Sequence, residues 1–158
     1  MLFRSEFHIG FPPILGTNLT EWHARKFNIN WMKLNFPWLL ADKDASFSDK
    51  ILINKTTRYT RHQNGFYKDI LNSYGKKCIF IGIESDYKSF KEEYSINIEL
   101  YKTDNSLEML NAINSCEFFV GNSSFCAALS IGIGKKSYIE LNEVNNYLFF
   151  NDYTKYFL

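Results

Sequence analysis

From residue 50 onward the chain alternates two kinds of segment. Residues 51–54 (ILIN), 78–82 (CIFIG) and 118–121 (FFVG) are short apolar runs, the pattern of strands covered on both faces. Residues 98–101 and 136–141 (KSYIEL) read as two further strands. The segments between them carry helical spacing instead. Phe66, Ile70 and Tyr74 share one side of a helix over 66–74, which Gly75 stops. Tyr87, Phe90 and Tyr94 do the same over 85–94. Ser106 is the expected N-cap of a third helix, with Leu107, Leu110 and Ile113 on its inward stripe. Residues 125–132 form a nearly all-apolar fourth helix, and Val144, Tyr147 and Leu148 mark a last one in the tail. Strand and helix thus alternate four times and end on a strand. That order predicts an α/β domain with a mostly parallel sheet of about five strands.

Residues 1–45 follow a different rule. Pro12 and Pro13 sit among glycines, and a helix candidate starts at Thr20, preceded by Leu19, with Trp22, Phe27 and Trp31 on an irregular apolar side. Pro37 ends it, and residues 42–49 have the polarity of a linker. The expected organisation is an aromatic helical segment and linker over 1–45, then a domain over 46–158 with a C-terminal helix. A chain of 158 residues suits one domain with a full core, since a domain takes about 100–200 residues. The aromatic N-terminal segment is suited to pack against the domain, a partner domain or a second copy.

Charge and cysteine usage narrow the function classes. A formal net charge of +1 gives no long-range attraction to nucleic acid or an anionic membrane. Cys78, Cys116 and Cys126 are odd in number, sit in apolar segments and form no CxxC pair, the pattern of buried thiols in a reducing compartment. His8, His23 and His62 lack carboxylate or thiol neighbours at ligand spacing, so no metal is expected. The N-terminus lacks a signal-peptide pattern, and the longest apolar stretch is interrupted at Asn122, Ser123 and Ser124. A soluble, cytoplasmic protein without a transmembrane segment is the expectation.

In an open parallel sheet, ligands sit beyond the C-terminal strand ends. Three loops there carry chemistry. After the first strand come Lys55, Thr56, Thr57, Arg58, Thr60 and Arg61, a set of hydroxyls, amides and cations suited to a diphosphate or to plain solvation. After 118–121 come Asn122, Ser123, Ser124 and Phe125, where a helix start can receive an oxyanion or simply be capped. After 78–82, Glu84 or Asp86 can accept from a ribose or base, or Ser85 and Asp86 can cap a helix. Glu140, at the end of the last strand, is placed to hold ribose hydroxyls or to face water. GxGxxG, GxxxxGK[ST] and GxSxG are all missing, which excludes dinucleotide, P-loop and hydrolase-elbow signatures.

The runs ILINKTTRY, CIFIG, SLEMLNAINSCEFFVGNSSF and ALSIGIGKKSYIEL carry a family likeness. Through them residues 38–141 resemble the C-terminal domain of ADP-heptose:lipopolysaccharide heptosyltransferase-like glycosyltransferases. The resemblance implies a Rossmann-like three-layer sandwich, one half of a GT-B enzyme, that binds a nucleoside-diphosphate sugar of ADP or UDP type. It implies Thr56 and Thr57 as diphosphate contacts, Arg58 as a nearby cation, and Asn122, Ser123 and Ser124 near the phosphates or sugar. Glu140 is its weaker nucleotide contact. No cofactor is implied, and no residue here takes the role of catalytic base, His62 included.

The chain departs from the family pattern at three places: Ser123 replaces an acidic residue, Phe125 a glycine, and Ser137 a proline. Metal-independent hexosyl or heptosyl transfer would need a second domain or a partner to bind the acceptor. The competing reading is a non-catalytic nucleotide-sugar-binding or protein-interaction domain of the same fold. A flavodoxin-like or response-regulator domain fits less well, because the acidic cluster of a phosphoacceptor is missing.

Overall fold

Two-sided burial is the rule in the central strands, and it follows from their composition. The computed structural model describes residues 25, 28, 37–59, 65–140 and 153–157. Strands β1 (Ile51–Asn54), β2 (Cys78–Ile81) and β4 (Phe118–Asn122) are buried at every position. With β3 (Glu99–Tyr101), β5 (Ser137–Glu140) and β6 (Thr154–Phe157) they form a six-stranded sheet in the order β3-β2-β1-β4-β5-β6. Every neighbouring pair runs parallel. Successive strand residues point to opposite faces, so one strand feeds two cores. Ile51, Ile53, Phe80, Phe118 and Val120 pack with Tyr67, Ile70 and Leu71 of α1 (Gly65–Tyr74) and Phe90 of α2 (Glu84–Tyr94). Leu52, Ile79, Ile81, Phe119 and Ile139 pack with Leu110 and Ile113 of α3 (Ser106–Ser115) and Ala127, Leu129 and Ile131 of α4 (Phe125–Gly132). The result is a three-layer α/β sandwich with helices on both faces.

The sixth strand is the main addition to the expected five. It lies at the sheet edge, where the Ser137 amide donates to the Tyr153 carbonyl at 2.9 Å. Its alternation is weak (Thr154 buried, Lys155 exposed), which explains why the sequence pattern did not announce it. The tail helix candidate over 144–148 and most of the N-terminal one lie outside the described residues. Helix α3 starts one residue earlier than its pattern suggested. The side chain of Asn105, not Ser106, accepts from the Glu108 amide at 2.9 Å, and Glu108 in turn accepts from the Asp104 amide at 2.8 Å.

The polar stretch after Pro37 is strapped to the helices. The amides of Trp38 and Leu39 both donate to the Gly132 carbonyl, at 2.9 and 3.0 Å. Further on, Asp42 and Asp44 donate from their amides to Asn111 Oδ1 (3.0 Å) and Ser115 Oγ (2.6 Å). Asn114 Nδ2 donates to the Ala41 carbonyl at 2.9 Å. Three polar side chains within about one turn of α3, Asn111, Asn114 and Ser115, thereby hold the segment over 41–44.

Glycine is required where β1 and β4 pair. Gly121 lies opposite Asn54, and a Cβ there would fall 2.8 Å from the Asn54 carbonyl oxygen and 2.7 Å from the Phe119 ring. Backbone cannot retreat from that contact without breaking the ladder. Gly121→Ala is therefore expected to cost about 1–3 kcal/mol. Urea unfolding should show a lowered midpoint with an unchanged slope; an unaltered midpoint would mean that the strands relax freely.

Candidate functional site

The chain leaves β1 toward β2 and leaves β4 toward β5, in opposite directions along the sheet. Loops following β1 and β4 therefore diverge and open a crevice at their shared C-terminal edge, the position where open α/β sheets bind ligands. A cleft of about 370 Å³ lies there. Thr56, Thr57 and Arg58 from the β1 loop form one side. Ser123, Ser124 and Phe125, from the turn between β4 and α4, form another, and Ile83, Ser85 and Asp86 close the cleft from the end of β2.

Local sequence explains each loop's course. After β1, Thr57–Tyr59 make one turn of 3-10 helix. Gly82 takes φ 147°, and the Asn54 amide nitrogen would stand 2.7 Å from any Cβ placed there. Asn54 Nδ2 donates to the Ile81 carbonyl at 2.7 Å, fixing the ends of β1 and β2 together. At α4, Ser124 is the N-cap, its Oγ accepting from the Ala127 amide at 3.3 Å. The amides of Phe125 and Cys126 fall in the first turn, where no intrahelical carbonyl can reach them. They form the positive end of an otherwise apolar helix.

Two hydroxyls stand out. Thr56 Oγ1 and Ser123 Oγ are buried and have no hydrogen-bond partner among the described residues. Both residues line the cleft. Buried hydroxyls in folded proteins are ordinarily paired; Asn54 Oδ1 and Thr154 Oγ1 also lack a partner among the described residues, but neither residue lines the cleft.

The sequence-derived candidates divide in three. Thr56, Thr57, Arg58, Ser123 and Ser124 come together around the cleft. Asn122 does not face it. Its side chain is fully buried, with Nδ2 donating to the Thr56 carbonyl at 2.7 Å and Oδ1 accepting from the Thr56 amide at 2.9 Å. The amide thus mimics one rung of a β-ladder and holds the β1 loop to the end of β4. Glu140 pairs in register with Asn122 at the same sheet edge, but it is fully buried and is not among the side chains lining the cleft. It neighbours Tyr67, whose hydroxyl is driven well above its ordinary pKa, first by burial and then by the Glu140 carboxylate.

Other residues take roles that the loop composition concealed. Lys55 looks like part of a solvated basic loop, yet it is 3% exposed and turns toward α2. Its ammonium meets both Glu93 oxygens at 2.6 and 2.7 Å and the Tyr94 hydroxyl at 3.0 Å, over the rings of Tyr67 and Tyr94. Glu84 is exposed and pairs with Lys88 and Lys102, which hold its carboxyl below the usual range. Asp86 is the acid that enters the cleft. Ile83 is the backbone N-cap of α2, which frees Asp86 to accept from the Thr57 amide and hydroxyl at 3.3 and 3.4 Å. Arg61 and His62 lie outside the described residues.

Burial pushes the thiols up, Cys78 and Cys116 to about 11 and Cys126 to about 12, so none is a nucleophile at neutral pH. Among the described residues, no three His, Cys, Asp or Glu side chains converge as a metal-ligand set. No helix there is long and apolar enough to cross a membrane.

Fold and crevice together define a Rossmann-like α/β domain with a cleft at the switch point between β1 and β4. Set against known protein families, curated proteins and solved structures, the chain matches none of them.

The Lys55–Glu93 pair is testable by stability. Lys55→Met strands a carboxylate that is 15% exposed and is expected to cost about 3–5 kcal/mol. Adding Glu93→Leu should recover part of that loss in urea titration; a single variant as stable as the parent would show the pair to be dispensable. The native thiols should also resist a disulfide reagent at pH 8 until the chain is unfolded. Rapid modification of the folded protein would contradict their burial.

Proposed function

We propose that this domain binds a nucleoside-diphosphate sugar of ADP or UDP type and is the donor-binding half of a glycosyltransferase-like protein. The observation that carries the reading is the pair of orphan hydroxyls, Thr56 Oγ1 and Ser123 Oγ, buried at the switch-point cleft. A diphosphate supplies the acceptor oxygens they lack. Thr57 and Ser124 add hydroxyls, Arg58 adds a cation at the rim, and the first turn of α4 adds N–H groups at a positive helix end. Asp86 is suited to accept from ribose hydroxyls, because a carboxylate beside a phosphate site favours a donor over a second anion. Asn122 serves the site through Thr56, and Glu140 belongs to the frame behind it.

In glycosyl transfer the nucleoside diphosphate departs with growing negative charge. Donors fixed beforehand stabilise that charge without reorganisation, and Arg58, Ser123, Thr56 and the α4 amides are such donors. Deprotonating the acceptor hydroxyl needs a base, which falls to a second domain or partner. Residues 1–45 would then serve the contact with that half, and the setting would be cytoplasmic. The main alternative is a domain that binds the nucleotide sugar without transfer. It is favoured by the engagement of Asp86, the one carboxylate lining the cleft among the described residues, with Thr57.

Calorimetric titration with ADP, UDP and their sugar conjugates, without added metal, tests the proposal. One nucleotide class should bind. Ser123→Ala or Arg58→Ala should weaken it about tenfold, as expected when a hydrogen bond to a charged group is lost. Added salt should weaken binding further. A folded chain with no affinity for any of these compounds would defeat the reading. Binding with no transfer, even when an acceptor-binding partner is supplied, would select the non-catalytic alternative.

A further inference from the structure

The outer part of the cleft has a chemistry that the anion reading does not use. Beside the polar residues stand two large apolar side chains, Ile83 and Phe125, which are 64% and 58% exposed. Other exposed large apolar residues, such as Leu40 and Leu107, do not line this cleft. Phe125 also occupies the first position of α4, next to the capping serine. Its helix is apolar except for Ser130 and its neighbours Cys126 and Ala127 are buried, yet Phe125 stays at the surface.

From this arrangement we infer that Ile83 and Phe125 form a subsite for the planar base of the nucleotide, with Phe125 as its stacking face. The inference rests on the nucleotide site proposed above and adds which side chains receive the base. Apolar walls offer no partners for the many hydroxyls of a sugar ring, whereas the flat face of a base needs none. Stacking on an aromatic ring is tolerant of base identity, since every base presents a π-face. The larger surface of a purine gives it the advantage over a pyrimidine. Closing a base over Phe125 also excludes water from the α4 amides, which strengthens their hold on the phosphates.

Titration of the whole chain with inorganic diphosphate, UDP and ADP separates the parts. The expected order of affinity is ADP, then UDP, then inorganic diphosphate. Phe125→Ala should weaken ADP about tenfold, the scale of one lost base–aromatic contact, and leave inorganic diphosphate unchanged. Phe125→Trp should keep ADP binding, and Ile83→Ser should lower it in the same selective way. Because both side chains are exposed, these variants should keep the parental melting temperature. Inorganic diphosphate binding as tightly as ADP would overturn the base subsite while leaving the anion site standing. Equal loss of ADP and inorganic diphosphate in Phe125→Ala would overturn it too, because the residue would then act on the phosphates alone. Failure of all three ligands to bind the folded parent would remove the anion site and the subsite together.

Discussion

A parallel sheet covered on both faces leaves its strands no polar side to expose. Hydrophobic burial claims both surfaces of β1, β2 and β4, so polar chemistry is displaced to the strand ends. Asn54, Lys55, Asn122, Ser123 and Glu140 are all buried polar residues at the C-terminal edge of the sheet. Burial of such groups is costly unless they are paired, and most of them are. Asn54 spends its amide nitrogen on the Ile81 carbonyl, Asn122 spends both ends on Thr56, and Lys55 meets Glu93. The edge becomes a network of fixed polar groups. Pairing stops at the Thr56 and Ser123 hydroxyls and at Asn54 Oδ1, and of these residues Thr56 and Ser123 line the cleft.

The consequence is preorganisation. Asn122 comes from β4 and Thr56 from the loop after β1, so their double hydrogen bond fixes the distance between the two walls of the crevice. Lys55, one residue earlier, is anchored to α2 on the opposite side of the sheet from α4. The β1 loop is therefore held at consecutive residues by two separate elements. Few backbone conformations remain for it, so a ligand of the kind proposed would meet donors that need little rearrangement.

How much of this was legible follows from the range of each interaction. Buried strands and amphipathic helices are local patterns, and those within 51–140 stand within a residue or two of their expected bounds. The sixth strand was not legible, because a short edge strand with one buried residue out of four has little hydrophobic signal. At the site, Thr56, Thr57, Arg58, Ser123 and Ser124 were readable because loops at strand ends converge by topology alone. The roles of Asn122 and Lys55 were not readable. Each depends on a partner distant in sequence, 66 positions for Asn122 with Thr56 and 38 for Lys55 with Glu93. Loop composition predicts solvation for a lysine among threonines and an arginine. Only the packing of α2 against the sheet supplies the carboxylate that draws it inward. The choice between Glu84 and Asp86 was hidden for a similar reason, since the two lie about half a turn apart on α2 and so meet different partners, Lys102 for one and Thr57 for the other.

Lys55 also shows why a buried ion pair can persist where an apolar pair would cost less. Replacing such pairs with hydrophobic side chains is often neutral or stabilising, so stability alone does not account for it. Position does. The residues following Lys55 must turn away from the sheet while the chain remains bound to β4 through Asn122. An apolar residue at 55 could bury itself against Tyr67 and Tyr94 in several ways. An ammonium caught between two carboxylate oxygens, one phenol and two ring faces has one satisfactory position. Directional contacts therefore set the path of the loop, and the path sets where Thr56 directs its hydroxyl. The geometry of the cleft floor is thus specified from behind, by residues that no ligand in the cleft would touch.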